Sequence, residues 1–289
     1  MHSAGYQNAG VFGASAMVVS MLIFSIGLRK FIPKLRQHQT KEPLSVRQVF
    51  RQTIDVFKGH SARMASAAGV MYYVGNGTYV ALWVYIYSYF WEFSNQEIAI
   101  IVTPMAFAAL ILPSVLLRLT RRREKKNVAI IGLSAALAVN VIPITLCLHG
   151  FFPENGSDTL LWTMVVMGFL ETNLFLIFDI SWRSMISDLT ERTQLETGRR
   201  NEGVIMASIT FITKCADGVG TLVAGVLPSV IAFPTETSVG DVPQEIIIDL
   251  GLIYGPMVFV IYAGAIFAIG RYRISRTRHQ EMLDRLSKR

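Results

Sequence analysis

Apolar runs of about 20 residues alternate with short polar segments along most of the chain, a scale far longer than the two- or four-residue alternation of half-buried strands and helices. A helix needs roughly 20 residues to cross about 30 Å of hydrocarbon. Seven runs are long enough, at residues 9–28, 65–89, 98–117, 128–148, 160–182, 204–227 and 246–270. The pattern predicts an all-α polytopic membrane protein with seven transmembrane helices. It divides the chain into a first helix (1–31), a polar segment (32–64), a six-helix bundle (65–270) and a basic tail (271–289).

Composition agrees. The 289 residues are 52% hydrophobic and 16% charged, against about 25% charged in soluble domains, which excludes a soluble enzyme. The net charge of +7 is not that of a nucleic-acid-binding module, because no basic stretch is interleaved with aromatics in a foldable unit. The positive charge reports topology instead. Nine Lys/Arg lie in 29–63, six in 118–126, four in 183–200 and seven from 271 to the end, whereas 90–97, 149–159 and 228–245 contain none. By the positive-inside rule the four basic segments are cytoplasmic, in a plasma or inner membrane. Seven crossings then put the N-terminus outside and the C-terminus inside. A bare first helix entering from outside suits an even-numbered helix of a larger bundle, so a preceding N-terminal half is expected as partner.

In the long polar segment Val46, Val49, Phe50, Thr53, Ile54 and Phe57 share one helical face flanked by Arg47, Arg51 and Lys58. That reads as an amphipathic helix on the inner membrane surface. Cys147 and Cys215 lie inside predicted spans and the five His are scattered, so neither a disulfide framework, a metal site nor any cofactor is expected. Pro104, Pro113, Pro143 and Pro256 predict kinks.

Ionisable groups within spans are costly and mark pathways or binding sites. Glu171 and Asp179 fall in the fifth span, Lys214 and Asp217 in the sixth. At 1.5 Å per residue Glu171 and Lys214 each lie about 16 Å deep, near the midplane. Asp217 is one turn from Lys214 on the same face. A Glu171, Lys214, Asp217 cluster would neutralise the ammonium and leave one acid for a coupling cation; the pattern leaves open which acid pairs with it, and whether the pair is purely structural. In the second span Tyr72, Asn76, Tyr79 and Trp83 form one stripe, with Gly75 and Gly77 bracketing Asn76 so that the helix can bend or unwind there. Aromatics beside an amide suit a sugar ring, the alternative being ordinary aromatic packing.

Three further elements occur in order: Ser184-Met-Ile-Ser-Asp188, then Thr197-Gly-Arg-Arg-Asn-Glu-Gly203, then Phe211-Ile-Thr-Lys214 with Gly225 beyond. This combination resembles the glycoside–pentoside–hexuronide:cation symporters, the melibiose-permease-like branch of the major facilitator superfamily. The resemblance implies that the seven helices correspond to helices six to twelve of twelve, with residues 32–64 as the central cytoplasmic loop. It implies an inner-gate loop formed by Asp188, Arg199, Arg200 and Glu202, and a place for Lys214 beside the solute and coupling-ion sites. The chain departs from the family where the basic loop 118–126 lacks the superfamily's usual Gly and Asp. The family's cation-binding acids lie in the first six helices, of which this chain carries the last.

The expectation is a secondary transporter and not an enzyme: symport of a sugar or glycoside-like solute driven by H+ or Na+, by rocking of two bundles around a midplane site. The alternatives are a non-transporting membrane scaffold, or a relative that carries a lipid-like solute.

Overall fold

The computed structural model describes residues 3–31, 59–197, 202–234 and 242–273. The proposed amphipathic segment 46–57, the gate residues Arg199 and Arg200, and the tail beyond residue 273 lie outside the described residues. The chain divides into two compact units, Met1–Ser45 and Val46–Arg289. The first contains one apolar helix, α1 (Ser3–Arg29).

The second unit holds α2 (His60–Tyr85), α3 (Asn95–Ala106), α4 (Ala108–Arg122), α5 (Lys125–Leu148), α6 (Asp158–Thr197), α7 (Glu202–Val230) and α8 (Gln244–Gly270). Four of these, α5 to α8, are long and apolar enough on length and composition to cross a membrane. The predicted second span coincides with α2 but is less hydrophobic, because Tyr72, Tyr73, Asn76 and Tyr79 interrupt its apolar residues. It ends in a π-helical turn, Ile86–Phe90, in which Trp91 N–H reaches the Ile86 carbonyl at 3.0 Å. The predicted third span is two helices meeting at Phe107. Pro104 has no N–H to give the ladder, and the chain turns three residues later. The other prolines do not break their helices: α4, α5 and α8 run through Pro113, Pro143 and Pro256. α3 starts with a capping box, in which Ser94 N donates to Glu97 Oε2 at 2.8 Å and Glu97 N to Ser94 Oγ at 3.3 Å. The Ser94 hydroxyl, donating to Glu97 Oε2 at 2.6 Å, and then the Ser94 N–H hold the Glu97 carboxyl below its ordinary pKa.

Small residues explain the closest packing. A Cβ on Gly77 would sit 2.0 Å from the Asp217 carbonyl oxygen, and one on Gly220 would sit 2.0 Å from that of Val74. α2 and α7 therefore cross nearly backbone to backbone, and Thr78 Oγ1 donates across the crossing to Gly220 O at 3.1 Å. In lipid, helices associate through such close contact because expulsion of water supplies no drive. The glycines around Asn76 thus do not unwind α2, which is continuous from His60 to Tyr85. They admit neighbours instead: Gly75 lies under the Tyr262 ring and Gly77 against α7.

The basic ends meet at one end of the bundle. Lys125 Nζ, at the start of α5, pairs with Asp188 of α6 at 2.7 Å, and Lys126 Nζ donates to the Gly270 and Tyr272 carbonyls that end α8. Arg273 N donates to Ser61 Oγ near the start of α2. At the opposite end, Asn155 of the α5–α6 loop donates to Phe90 O at 3.1 Å. With 40 residues α6 is about 60 Å long and runs beyond any bilayer core, so Ser184 to Asp188 is helix and not loop.

Candidate functional site

Polar groups within the bundle fall into three places. The first is centred on Glu171, which is 5% exposed. Tyr79 OH of α2 donates to its Oε2 at 3.1 Å, and Asn140 Nδ2 of α5 donates to its Oε1 at 2.8 Å. The same amide nitrogen lies 3.2 Å from Tyr254 OH of α8. Beside them is a cavity of about 30 Å3 lined by Trp83, Tyr87, Trp91 and Met164 among others. A water needs about 10–15 Å3, so the cavity has room for one or two waters and none for a sugar ring.

The second place is the outward side of α7. Asn76 Nδ2 donates to Asp217 Oδ1 at 3.1 Å. Lys214, one turn away, is exposed, and it belongs to a stripe of exposed positions that includes Phe211, Gly218 and Leu222. Among the described residues no acid lies within ion-pair distance of Lys214.

The third place is the basic end of α2 and α6. Tyr73 OH donates to Asp179 Oδ1 at 2.6 Å, and Arg183 Nε donates to Asp179 Oδ2 at 2.8 Å. Arg183 Nη2 also donates to the Tyr73 hydroxyl.

The expected Glu171, Lys214, Asp217 cluster is therefore not formed. Glu171 points into the bundle toward α5 and α8, whereas Asp217 is taken by Asn76 and the Lys214 side chain is exposed, so the two spans contribute to different places. The stripe on α2 also divides. Tyr72 packs among Phe178, Phe175 and Tyr262 and donates to Phe175 O, so it is core. Tyr79 serves Glu171, Trp83 stacks on Tyr87 at 4.1 Å beside the cavity, and Asn76 serves α7. Of the gate residues, Asp188 is held by Lys125, and the side chain of Glu202 is not among those described. Asn140 and Tyr254 were not singled out from the sequence. Asn140 is an amide inside a long apolar run, the same signal that marked Asn76; Tyr254 carries no such signal.

The chain matches the sequence model of the MFS/sugar transport protein family over residues 1–276, nearly its whole length. It belongs to that family. This is the melibiose-permease-like family indicated by the motifs from Ser184 to Gly225, which run from α6 into α7. The chain is accordingly a multi-pass membrane protein of a secondary-transporter family and not an enzyme; its setting is a lipid bilayer and its ligand class a small solute. No curated protein and no solved structure matches it.

Proposed function

We propose that the chain forms the C-terminal part of a cation-coupled symporter for a sugar-like solute, with its basic end on the cytoplasmic side of a plasma or inner membrane. The observation that carries this reading is the outward side of α7, where Lys214 is exposed at mid-span one turn from the Asn76–Asp217 pair. A charge at the centre of a bilayer costs about 2.5–3.5 kcal/mol on insertion scales. The ammonium therefore needs an aqueous cleft or a second bundle against it, and both are what alternating access between two halves provides. An ammonium, a carboxylate and an amide converging on such a cleft offer donors and acceptors to the hydroxyls of a sugar. In this reading Asn76, Asp217 and Lys214 face the solute, Tyr79 and Trp83 support the site from within the bundle, and Tyr72 is packing. Asp188, Arg199, Arg200 and Glu202 retain the inner-gate role at the basic end, with Lys125 as the Asp188 partner.

Uptake of labelled mono- and disaccharides into proteoliposomes under an imposed proton or sodium gradient tests the reading. Lys214→Ala and Asp217→Asn, made in the full protein, should each lower gradient-driven accumulation by roughly 10–100-fold, the value of a hydrogen bond to a charged group. Full accumulation in Lys214→Ala would refute it. Accumulation of a lysolipid with no sugar uptake would reassign the solute class.

Orientation has its own test. With Cys147 and Cys215 replaced, single cysteines at Ser94 and Ser157 should react with an impermeant thiol reagent from outside, and cysteines at Thr120 and Ser275 should not. Labelling at Thr120 would reverse the assignment.

A further inference from the structure

We propose that Lys126 and Arg271, at the basic end of α5 and α8, hold the phosphate of an anionic membrane lipid whose acyl chains lie along the exposed faces of those two helices. The inference rests on the chain's place in a bilayer and not on the symport reading.

Two cations from different helices meet there. Lys126, the second residue of α5, donates from Nζ to the Gly270 and Tyr272 carbonyls at 3.4 and 3.3 Å. These carbonyls flank Arg271, so the ammonium lies against the backbone that carries the guanidinium. Both contacts are longer than the 2.7–2.9 Å of about the usual charge-assisted hydrogen bond, and an ammonium has three donors. Lys126 can therefore still bind an anion. Arg271 is exposed, with its Cζ 4.1 Å from the centre of the Phe267 ring one turn back along α8. The ring face holds the cation and leaves the planar N–H fork, which matches phosphate geometry, open to an acceptor. Among the described residues neither cation is paired with an acid. Asp188 is taken by Lys125 and Asp179 by Arg183, and Glu124, two residues before Lys126, is exposed and pairs with neither.

The level is that of lipid phosphates. α5 has 24 residues, about 36 Å at 1.5 Å per residue, against a hydrocarbon core about 30 Å thick. Its ends therefore reach the headgroups. Deeper in the bilayer the two helices present apolar side chains. On α5 Ile131, Ala138 and Ile142 are exposed at helical spacing, interrupted by Ser134, and on α8 Val260 and Phe267 share the face that ends at Arg271. A free phosphate ion would engage the cations and leave these faces unused. An anionic lipid uses both, as basic pockets between membrane helices do. α7, which carries Lys214, packs chiefly on α2, so the lipid surface and the solute surface belong to different helices.

Native mass spectrometry of the full protein in detergent, with phosphatidylglycerol or phosphatidylcholine of the same chain length added, reads the site without any solute. One phosphatidylglycerol should bind more tightly than phosphatidylcholine. Lys126→Gln and Arg271→Gln should each weaken phosphatidylglycerol binding roughly fivefold, and together about 25-fold, with phosphatidylcholine unaffected. Lys126→Gln keeps an amide donor for the α8 carbonyls and Arg271→Gln removes none, so either variant reads the site if the other fails to fold. Arg63→Gln combined with Arg118→Gln removes the same charge from exposed positions of α2 and α4 and should bind as the wild type does. Inorganic phosphate at the lipid's concentration should not displace it. Equal binding of the two lipids, wild-type phosphatidylglycerol binding in the Lys126/Arg271 double variant, an equal loss in the control pair, or displacement by inorganic phosphate would overturn the proposal. So would a dimer that the double variant abolishes and phosphatidylglycerol does not, since a second copy of the chain would then be the occupant.

Discussion

Replacing Gly220 with valine should abolish recovery of folded protein, and Gly77→Val should do the same. A Cβ at position 220 would lie 2.0 Å from the Val74 carbonyl oxygen and 2.8 Å from Thr78 N; at position 77 it would lie 2.0 Å from the Asp217 carbonyl oxygen. These are backbone atoms, and no rotamer change relieves the overlap. α2 and α7 must separate, and with them go the Thr78–Gly220 hydrogen bond and the Asn76–Asp217 pair. Overpacking that a core can absorb costs about 1–3 kcal/mol; here the backbones themselves collide, so the cost should exceed that range. Size-exclusion profiles of a fluorescent fusion in detergent check it. Gly225→Val, where nothing lies within 4 Å of the added Cβ, should keep the wild-type peak. A wild-type peak for Gly220→Val as well would show that the two helices are not in backbone contact.

These glycines mark the limit of what the linear pattern discloses. The all-α class, the alternation of ends and the family were legible because each follows from hydropathy, charge counts or a local motif: the basic segments 118–126, 183–200 and 271 onward meet at one end of the bundle where they are described, as the Lys125–Asp188 and Lys126–Gly270 contacts show. Helix number was not, since the single apolar run 98–117 is two helices. The family match over residues 1–276 agrees with motifs that span about 40 residues. What failed was partnership across helices. Depth placed Glu171 and Lys214 at one level, but depth says nothing about azimuth, and the two side chains face different neighbours. Periodicity placed Tyr72, Asn76, Tyr79 and Trp83 on one stripe, yet a stripe wide enough to touch both α6 and α7 divides its residues between them. Gly75 and Gly77 read as a flexible point because glycine is permissive; in the fold they serve as small surfaces. Asn140 and Asp188 find partners 31 and 63 residues away in sequence, separations at which no local rule operates.

A second large effect is expected at Trp182, whose ring lies against Gly69, so close that a Cβ there would come within 2.2 Å of it. The ring is 2% exposed, meets Tyr73 edge-on at 5.7 Å, and its Nε1 donates to Ala65 O at 2.7 Å. It thus ties α6 to α2 one residue before Arg183, whose guanidinium bridges Asp179 and Tyr73. Trp182→Ala removes both volume and hydrogen bond and should cost about 3–5 kcal/mol. Trp182→Phe retains most of the apolar ring and loses the donor, and should cost about 0.5–1.5 kcal/mol. Thermal denaturation in detergent should therefore rank wild type above Trp182→Phe and well above Trp182→Ala. Because the ring also supports Tyr73, the alanine variant should loosen the Tyr73–Asp179–Arg183 bridge, read as faster hydrogen exchange of the backbone amides around Tyr73 and Asp179. If the phenylalanine variant fell as far as the alanine variant, the hydrogen bond to Ala65 and not the packed ring would be what joins α6 to α2 at this end.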